Sequence, residues 1–351
     1  MQDEQQNRAI KRAVGGAFLA RNVLDYEPAL DLTADALIER IQKLPSFNLY
    51  DMLQSFQLDF LFKIAFSESP GHLKHGDDVL GLAKVGNKRV KHWFTWQPVP
   101  RLEHAIFHSR IWTRCFVRPS KWIPMGNARL EARLSSPKNS PSKNDLLQKY
   151  IDASRRHSDI IRPETVSSLV NSTISAGADT TAGTMTTILY FLLRNPESLN
   201  RLLQELQGAR LSSPPRYSEV SNLPYLDAVI KEALRLHPPL SVPLERIVPE
   251  EGCVLSGIFL PPGTVVGCLG KLVHMDQRYF GHSPDQFRPD RWIKADGASR
   301  QAMDRGFLSW GSGNRVCLGR YIAELEIKKV IPLLLLGFNV SSWYLPIRNE
   351  F

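Results

Sequence analysis

The sequence lacks features that are typical of several protein classes. The first missing feature is a pair of closely spaced cysteines. Only four cysteines occur among 351 residues, Cys115, Cys253, Cys268 and Cys317, and no two of them have the CxxC spacing typical of zinc or redox sites. A chain of this length does not need disulfides to fold, so the cysteine usage favours a reducing compartment. Residues 1–11 are polar, which predicts neither a signal peptide nor an anchor helix and therefore a soluble chain.

A concentrated basic segment is also missing, although the chain is cationic overall. Lys and Arg number 44 against 35 Asp and Glu, which leaves a formal net charge of +9. The cations are spread along the whole length and no basic block carries interleaved aromatics, so nucleic acid is not a predicted partner. The excess of positive charge favours acidic protein surfaces or anionic lipid headgroups as partners instead.

What the sequence does contain is a dominant helical pattern and enough apolar residues for a large core. Hydrophobic residues make up 43% of the chain, as in globular proteins. Apolar residues at helical spacing predict helices over 4–44, with breaks at Gly and Pro, and over 50–66, 164–194, 196–209 and 225–236. This pattern predicts a mainly α fold.

The C-terminal half adds a small β part. The β-prone runs 253–260 and 265–269 predict one hairpin around the turn 261–264, and a long irregular stretch follows over 274–304. Residues 134–144, rich in Ser, Pro and Lys, are predicted to form a flexible connection. No internal repeat is visible.

The segment 164–194 is the longest helical signal, and between Thr165 and Leu193 its only charged residue is Asp179. A run with so few charges could be a transmembrane span. It also carries many Ser, Thr and Asn residues and a central Gly177, which favour a helix buried across the middle of a large core.

The stretch 310–319, with sequence WGSGNRVCLG, places one cysteine in a glycine-rich loop. Gly311 and Gly313 allow a tight backbone turn and close approach to a flat partner, and Gly319 keeps the far side of the Cys317 sulfur uncrowded. Arg315 adds a fixed cation that could pair with a carboxylate of the same ligand.

A helix is predicted to begin at Leu318, and its positive end would favour the thiolate form of Cys317, which soft metals prefer. The alternative for an isolated cysteine is inert burial as a small apolar side chain.

Two further groups of residues carry possible chemistry. Glu232 and Arg235 are spaced to share one helix face, and Arg291 in the proline-set segment 287–292 could complete a triad with them. The alternative for the first pair is a solvated surface ion pair of little consequence.

In the segment 175–181, Asp179 and Thr180 follow the helix-interior Gly177. A glycine inside a helix lowers its stability by about 1 kcal/mol relative to alanine. Its presence therefore predicts that something requires the space a side chain would fill. Local widening of the helix would let Thr180 donate outward to a small ligand while Asp179 feeds protons from solvent. The alternative is a helix-packing glycine with threonines bonded back to the helix.

The segment 175–181, the triad of Glu232, Arg235 and Arg291, and the cysteine loop 310–319 follow one another in this order. With these separations they resemble the cytochrome P-450 family of haem-thiolate monooxygenases. The family's cysteine motif, Phe-x-x-Gly-x-Arg-x-Cys-x-Gly, is matched at Gly313, Arg315, Cys317 and Gly319, with Trp310 in place of phenylalanine. The Glu-x-x-Arg motif is matched at Glu232 and Arg235, and the Ala-Gly-x-Asp-Thr motif by 176–180. The segment 289–292, Pro-Asp-Arg-Trp, is similar to the Pro-Glu-Arg-Phe segment of the family. The resemblance covers nearly the whole chain.

This resemblance implies a single, partial P-450 domain over 1–351, with a long oxygen-binding helix at 164–194, a Glu-x-x-Arg helix at 225–236 and a cysteine loop with its following helix at 307–336. It implies haem b as cofactor, with Cys317 as the iron ligand and Arg315, Arg246 and His274 as contacts of the haem propionates. Thr180 would hydrogen-bond dioxygen and Asp179 would relay protons, whereas Glu232, Arg235 and Arg291 would be structural.

The resemblance also implies an activity and its partners. The chain would insert one oxygen atom from dioxygen into a hydrophobic small molecule, with electrons from an NADPH-dependent reductase, in the manner of fungal secondary-metabolite enzymes. Family members typically sit on the endoplasmic-reticulum membrane and face the cytosol. Since this sequence shows no anchor, it is expected in the cytoplasm or in peripheral contact with a membrane.

Compared with typical members, the chain is expected to lack the N-terminal anchor, the first sheet strands and the C-terminal hairpin. Two alternatives remain: a shortened, inactive relative that binds haem weakly or acts through protein contacts, and haem-thiolate chemistry without net oxygenation. Asp179 and Thr180 argue against the second, because that chemistry can dispense with the acid-alcohol pair.

Overall fold

The computed structural model describes residues 4–76, 78–96, 98–109, 122–135 and 143–339. The chain divides into two compact units, Met1–Gly183 with Leu318–Val330, and Thr184–Cys317 with Ile331–Phe351. Most of the predicted connection at 134–144, Cys115 and the tail from 340 onward lie outside the described residues. A single domain over 1–351 stays a prediction.

Helices dominate the described residues, as the sequence predicts. The α-helices are α1 Glu4–Val14, α2 Ala20–Val23, α3 Glu27–Gln42, α4 Leu49–Phe66, α5 His72–His75, α6 Leu82–Trp96, α7 Pro100–Phe107, α8 Trp122–Leu134, α9 Leu146–Arg156, α10 Val166–Arg194, α11 Pro196–Gly208, α12 Tyr217–Val220, α13 Pro224–Leu236, α14 Gly270–His274, α15 Gln277–Phe280, α16 Asp290–Lys294, α17 Gly297–Gly306 and α18 Arg320–Gly337. The strands are β1 Leu244–Ile247, β2 Cys253–Leu255, β3 Ile258–Leu260 and β4 Val265–Cys268.

In the first unit, α4 lies at the centre of the core. It begins where the Asn48 side chain accepts a hydrogen bond from the Asp51 amide at 3.1 Å, and it ends at Ser67 in a left-handed conformation. It packs against α3, α5 and α9. Because α4 is enclosed on several sides, its polar side chains Gln54 and Gln57 are buried with its phenylalanines.

Helix α10 starts two residues later than predicted, after a 3₁₀ turn over Pro163–Thr165. Val170, Ile174, Ala178 and Ala182 recur at helical spacing and are all buried, which accounts for the predicted core position of this helix. Among the helices that the structure describes, none reaches the length and apolar character that a bilayer crossing demands.

The β part of the second unit differs from the single predicted hairpin. Strands β2 and β3 pair with each other across Ser256 and Gly257, which both have positive φ, while β4 pairs antiparallel with β1. A two-residue turn with two positive φ angles suits the twist of a tight hairpin. The turn at 261–264 therefore connects two separate two-stranded sheets, and β1 was not predicted.

The stretch 274–304 is not irregular throughout, because it contains α15, α16 and most of α17. Aspartates cap two of these helices: the Asp276 side chain accepts from the Arg278 amide at 2.8 Å, and Asp296 accepts from the Ser299 amide at 2.7 Å. Short helices with Gly and Pro between them lack the long apolar repeat that would reveal them in sequence. Helix α16 packs against α13, which places the segment 287–292 beside Glu232.

Candidate functional site

The Cys317 loop lies in the second unit and is closed by backbone hydrogen bonds. The Cys317 amide donates to the Trp310 carbonyl at 2.8 Å, and the Gly311 amide donates to the Leu308 carbonyl at 2.8 Å. Gly311 and Gly313 have φ of 72° and 62°, a left-handed conformation that side chains strongly disfavour. The glycines are thus required by the turn that presents Cys317, whose side chain is exposed.

The residues of this loop fit a haem ligand. A Cβ atom added at Gly313 would meet no atom within 4 Å, so the loop leaves open space there, and the same holds at Gly319. An exposed thiol is a suitable soft ligand for iron, and the half-buried Arg315 belongs to the same turn, Gly313–Arg315. Inert burial, the alternative for Cys317, does not describe this residue.

The helix after the cysteine begins later than predicted. Leu318 and Gly319 form a turn, and α18 runs from Arg320 to Gly337, with the Ala323 amide donating to the Gly319 carbonyl at 3.0 Å. Gly319 is therefore the residue that precedes the first helical turn, and the helix starts two residues after the expected position at Leu318. Of the described cysteines, Cys253, Cys268 and Cys317 form no disulfide.

Arg246 lies on β1, paired with Val266 of β4. Its side chain is exposed, and its Nη1 atom donates to the Glu245 carbonyl at 2.7 Å. A guanidinium has five N–H donors, so this contact leaves others for a ligand carboxylate.

The predicted triad is assembled in the second unit around the carboxylate of Glu232, which is 0% exposed. Arg235 donates through Nε to Oε2 at 2.9 Å and through Nη2 to Oε1 at 2.8 Å, and Arg291 Nε donates to Oε1 at 2.9 Å. Arg235 is also fully buried, so the alternative of a solvated surface pair is excluded. Removing one partner of a buried pair leaves an uncompensated charge, which makes this cluster a stability element.

Sequence reasoning missed two further donors to Glu232. The Trp292 indole Nε1 donates to Oε2 at 2.9 Å, and the Arg288 amide donates to Oε1 at 2.9 Å. Both come from the same segment as Arg291, so the presence of a large aromatic with an N–H group directly after that arginine was the available signal. Burial lowers the pKa of Arg291, although the Glu232 carboxylate opposes that shift.

His274 is fully buried in the second unit, with both ring nitrogens in hydrogen bonds to the backbone. The Leu308 amide donates to Nε2 at 2.9 Å, so Nδ1 carries the ring hydrogen and donates to the Arg235 carbonyl at 2.8 Å. Burial, and to a lesser degree the charge of Arg235, lowers the pKa of His274 to about 4. This geometry departs from the expected contact with a haem propionate, since neither nitrogen is left for a ligand.

Thr180 and Gly177 belong to the first unit, on α10. The Thr180 hydroxyl donates to the Ala176 carbonyl at 2.8 Å, and the helix is α-helical without interruption from Val166 to Arg194. A Cβ at Gly177 would lie 3.0 Å from a methyl carbon of Leu61 on α4. The space that this glycine leaves is therefore used by helix packing, and the expected widening with outward donation by Thr180 is not what the structure has.

Asp179 is half-buried, with its carboxylate against α4 and α6. Gln54 Nε2 donates to Oδ1 at 2.5 Å, and a Cβ at Gly86 would come within 2.7 Å of Oδ2. Tyr50 lies one turn before Gln54, and burial together with the nearby Asp179 charge raises its pKa to about 12. Sequence reasoning missed Gln54, because a glutamine inside an apolar helix gives no sign of its distant partner.

Comparison with known proteins agrees with these features. The profile of the cytochrome P450 family matches residues 1–343. A cytochrome P450 monooxygenase of Aspergillus terreus is 32% identical over 364 residues, covering 97% of this chain and 72% of that protein. The cytochrome P450 monooxygenase cicH of Emericella nidulans is 34% identical over 372 residues, covering 99% of this chain and 73% of that protein.

A third relative, the cytochrome P450 monooxygenase mpaDE of Penicillium brevicompactum, is 32% identical over an alignment of 360 residues, covering 97% of this chain and 42% of that protein. The mainly helical fold, the exposed cysteine that follows two left-handed glycines and the buried Glu232 cluster accompany a family match along almost the whole length. The chain belongs to the cytochrome P450 family.

Proposed function

We propose that this protein is a haem-thiolate monooxygenase that inserts one oxygen atom from dioxygen into an organic small molecule. The observation that carries the proposal is the Cys317 loop, in which two left-handed glycines present an exposed thiol beside Arg315. Glycines without side chains at such a turn let the backbone approach a ligand closely. Membership of the cytochrome P450 family supports the same activity.

Haem b is the cofactor that this activity requires, and the second unit offers a donor set suited to it. Cys317 would supply the thiolate ligand, and Arg315 and the exposed Arg246 would pair with propionate carboxylates. His274 is not included, because its ring nitrogens already bond to the backbone. When bound, haem supplies the dioxygen chemistry that amino-acid side chains lack.

The acid-alcohol pair on α10 would serve the proton requirements of the reaction. The Thr180 hydroxyl gives its hydrogen to the Ala176 carbonyl, so toward a protonated ligand or a water it would act as an acceptor and not as a donor. Asp179, held by Gln54, would exchange protons with solvent. The presence of both residues supports oxygenation over haem-thiolate chemistry without net oxygen transfer.

The substrate class and the electron source follow from the same proposal. Relatives at this identity are fungal monooxygenases, which supports a hydrophobic small molecule of fungal secondary metabolism as the substrate. An NADPH-dependent reductase would deliver the electrons, and the net charge of +9 supports docking of an acidic partner or peripheral contact with anionic lipid. A role limited to protein contacts would not account for the exposed thiol of Cys317.

The absorption spectrum of the reduced protein under carbon monoxide tests the proposal. Protein supplied with haem should show the Soret band of a thiolate ligand, and Cys317→Ser should abolish it. Cys268→Ser is the matched control, since Cys268 is also exposed but lies on β4, and this variant should keep the band. Absence of the band in the wild type, or its persistence in Cys317→Ser, would refute the assignment.

A second measurement tests the acid-alcohol pair. Thr180→Ala should keep the thiolate band but direct a larger share of the NADPH electrons into hydrogen peroxide instead of product. An unchanged peroxide share would remove Thr180 from the mechanism while leaving the cofactor assignment intact.

A further inference from the structure

We propose that His274 is a positioning residue for the Cys317 loop, linking the C-terminal end of α13 to the residues that lead into the loop. The inference rests on the proposed function, because it assigns to His274 the task of holding a loop that carries the thiolate ligand. The two hydrogen bonds of its ring, at 2.8 and 2.9 Å, are the observations behind it.

On the helix side, the link uses carbonyls that a helix cannot bond by itself. Helix α13 ends at Leu236, so the carbonyls of Leu234 and Arg235 are among the last four and have no partner further along the helix. His274 Nδ1 donates to the Arg235 carbonyl, and the Ser309 hydroxyl donates to the Leu234 carbonyl at 2.9 Å. The end of the Glu-x-x-Arg helix is thus capped by groups from outside it.

On the loop side, the link reaches the first turn of the cysteine segment. Leu308 donates its amide hydrogen to His274 Nε2 and accepts with its carbonyl from the Gly311 amide at 2.8 Å. Two residues later, the Trp310 carbonyl accepts from the Cys317 amide at 2.8 Å. A continuous series of hydrogen bonds therefore runs from α13 through His274 to the backbone of Cys317.

A neutral histidine is suited to this position by its chemistry and its surroundings. One ring nitrogen donates and the other accepts, on different edges of a rigid ring. The ring lies between Phe280, at 5.9 Å and nearly perpendicular, and Phe307, stacked at 5.8 Å. Loss of the ring nitrogens would leave a buried carbonyl and a partly buried amide without their hydrogen-bond partners, which costs free energy.

Three substitutions separate the two sides of the link. His274→Phe keeps the ring and removes both hydrogen bonds. His274→Asn places an amide nitrogen near the position of Nδ1 and keeps only the bond to Arg235, whereas His274→Gln places a carbonyl oxygen near the position of Nε2 and keeps only the bond to Leu308.

The first readout is the lifetime of the thiolate-type Soret band in the carbon monoxide complex of the haem-loaded protein. If the link holds the loop, His274→Phe should shorten the half-life for conversion to the thiol-type band about tenfold, as expected for about 1.4 kcal/mol. The Asn and Gln variants should lie between it and the wild type.

Trp292→Phe is the control for general destabilisation. Its indole packs in the same core, beside Phe280 and Phe307, and its hydrogen bond goes to Glu232 and not to any described residue of the loop. At matched distance from the unfolding midpoint, this variant should leave the band lifetime close to that of the wild type. An equal acceleration in Trp292→Phe and His274→Phe, or a wild-type lifetime in His274→Phe, overturns the proposal.

Hydrogen exchange at the Leu308 amide gives a readout that does not need the haem. The amide should be protected in the wild type and in His274→Gln, and it should exchange faster in His274→Phe and His274→Asn. Equal protection in all four proteins overturns the link. A wild type without any thiolate band would refute the proposed function, while this exchange pattern would still decide the role of His274.

Discussion

Two fully buried glutamates, one in each unit, have very different surroundings. Glu232 on α13 accepts hydrogen bonds from two arginines, one indole and one backbone amide. Glu326 on α18 is 1% exposed and has Gln57 as its polar neighbour, and its Oε2 atom has no hydrogen-bond partner among the described residues. Burial raises the pKa of Glu326 to about 8.

The comparison teaches that burial alone does not determine whether a carboxyl group keeps its negative charge. The number of hydrogen-bond donors that contact the group determines this. The donors around Glu232 balance its charge, so the ionised carboxylate stabilises the fold. Glu326 lacks such donors and binds a proton instead. Two glutamines of α4 repeat the contrast on a smaller scale. Gln54 donates to Asp179, while both polar atoms of Gln57 lack a partner in the described part of the chain.

The largest effect is expected from breaking the compensated site. Glu232→Gln keeps the shape of the side chain but leaves two buried guanidinium groups without their counter-charge, so the free energy of unfolding should fall by about 3–5 kcal/mol. Urea unfolding monitored by circular dichroism measures the loss.

The control for Glu232→Gln is Arg278→Gln, which removes the guanidinium of an ion pair whose Arg278 side chain is 84% exposed. Its unfolding midpoint should stay close to that of the wild type, because exposed ion pairs contribute little. If both substitutions lower the midpoint equally, the Glu232 cluster is not the stability element described above.

At Glu326, substitution by glutamine is expected to raise the free energy of unfolding, the opposite of its effect at Glu232. A carboxyl whose pKa rises from 4.5 to about 8 on folding holds its proton more tightly in the folded protein. Its contribution to stability is complete below pH 4.5 and is lost as the pH rises toward 8. Glu326→Gln imitates the protonated form, so it should raise the free energy of unfolding at pH 7 by about 1–3 kcal/mol.

Urea unfolding of wild type and Glu326→Gln between pH 5 and 8 checks this sign. The two proteins should have similar stability near pH 5 and diverge as the pH increases, with the variant showing the flatter profile. Parallel profiles across this range would mean that Glu326 does not keep its proton in the folded protein.

An intermediate effect is expected from the two glutamines of α4. Gln54→Leu removes a hydrogen bond to a carboxylate and should cost about 1.5–3 kcal/mol of unfolding free energy, whereas Gln57→Leu should cost much less because its amide is already unsatisfied. Under the proposed function, Gln54→Leu should also raise the share of NADPH electrons lost as hydrogen peroxide.

The double variant Gln54→Leu with Asp179→Asn tests whether Gln54 acts through Asp179. The peroxide share of the double variant should equal that of Asp179→Asn alone, because the carboxylate through which Gln54 would act is already absent. Additive changes would show that Gln54 affects the reaction by another route.

The sequence predicts those parts of the site that depend on local spacing. Glu232 and Arg235 are three residues apart on one helix, and Gly311 and Gly313 lie beside Cys317, so short-range rules suffice for them. The missed contacts join residues far apart in the chain: Gln54 with Asp179, His274 with Leu308, and Trp292 with Glu232. Helical periodicity contains no information on which distant polar group such a side chain meets.

The smallest effect is expected at Arg246, whose side chain is exposed on β1. An exposed guanidinium contributes at most about 1 kcal/mol to a carboxylate contact, so Arg246→Gln should weaken haem binding by about fivefold or less. Arg315→Gln should weaken it more, since the half-buried Arg315 shares the turn before Cys317 and is less screened by water. Haem transfer to an apo-globin acceptor measures both. A larger effect at Arg246 than at Arg315 would contradict this order, and it would place the principal anionic contact on the sheet instead of the cysteine loop.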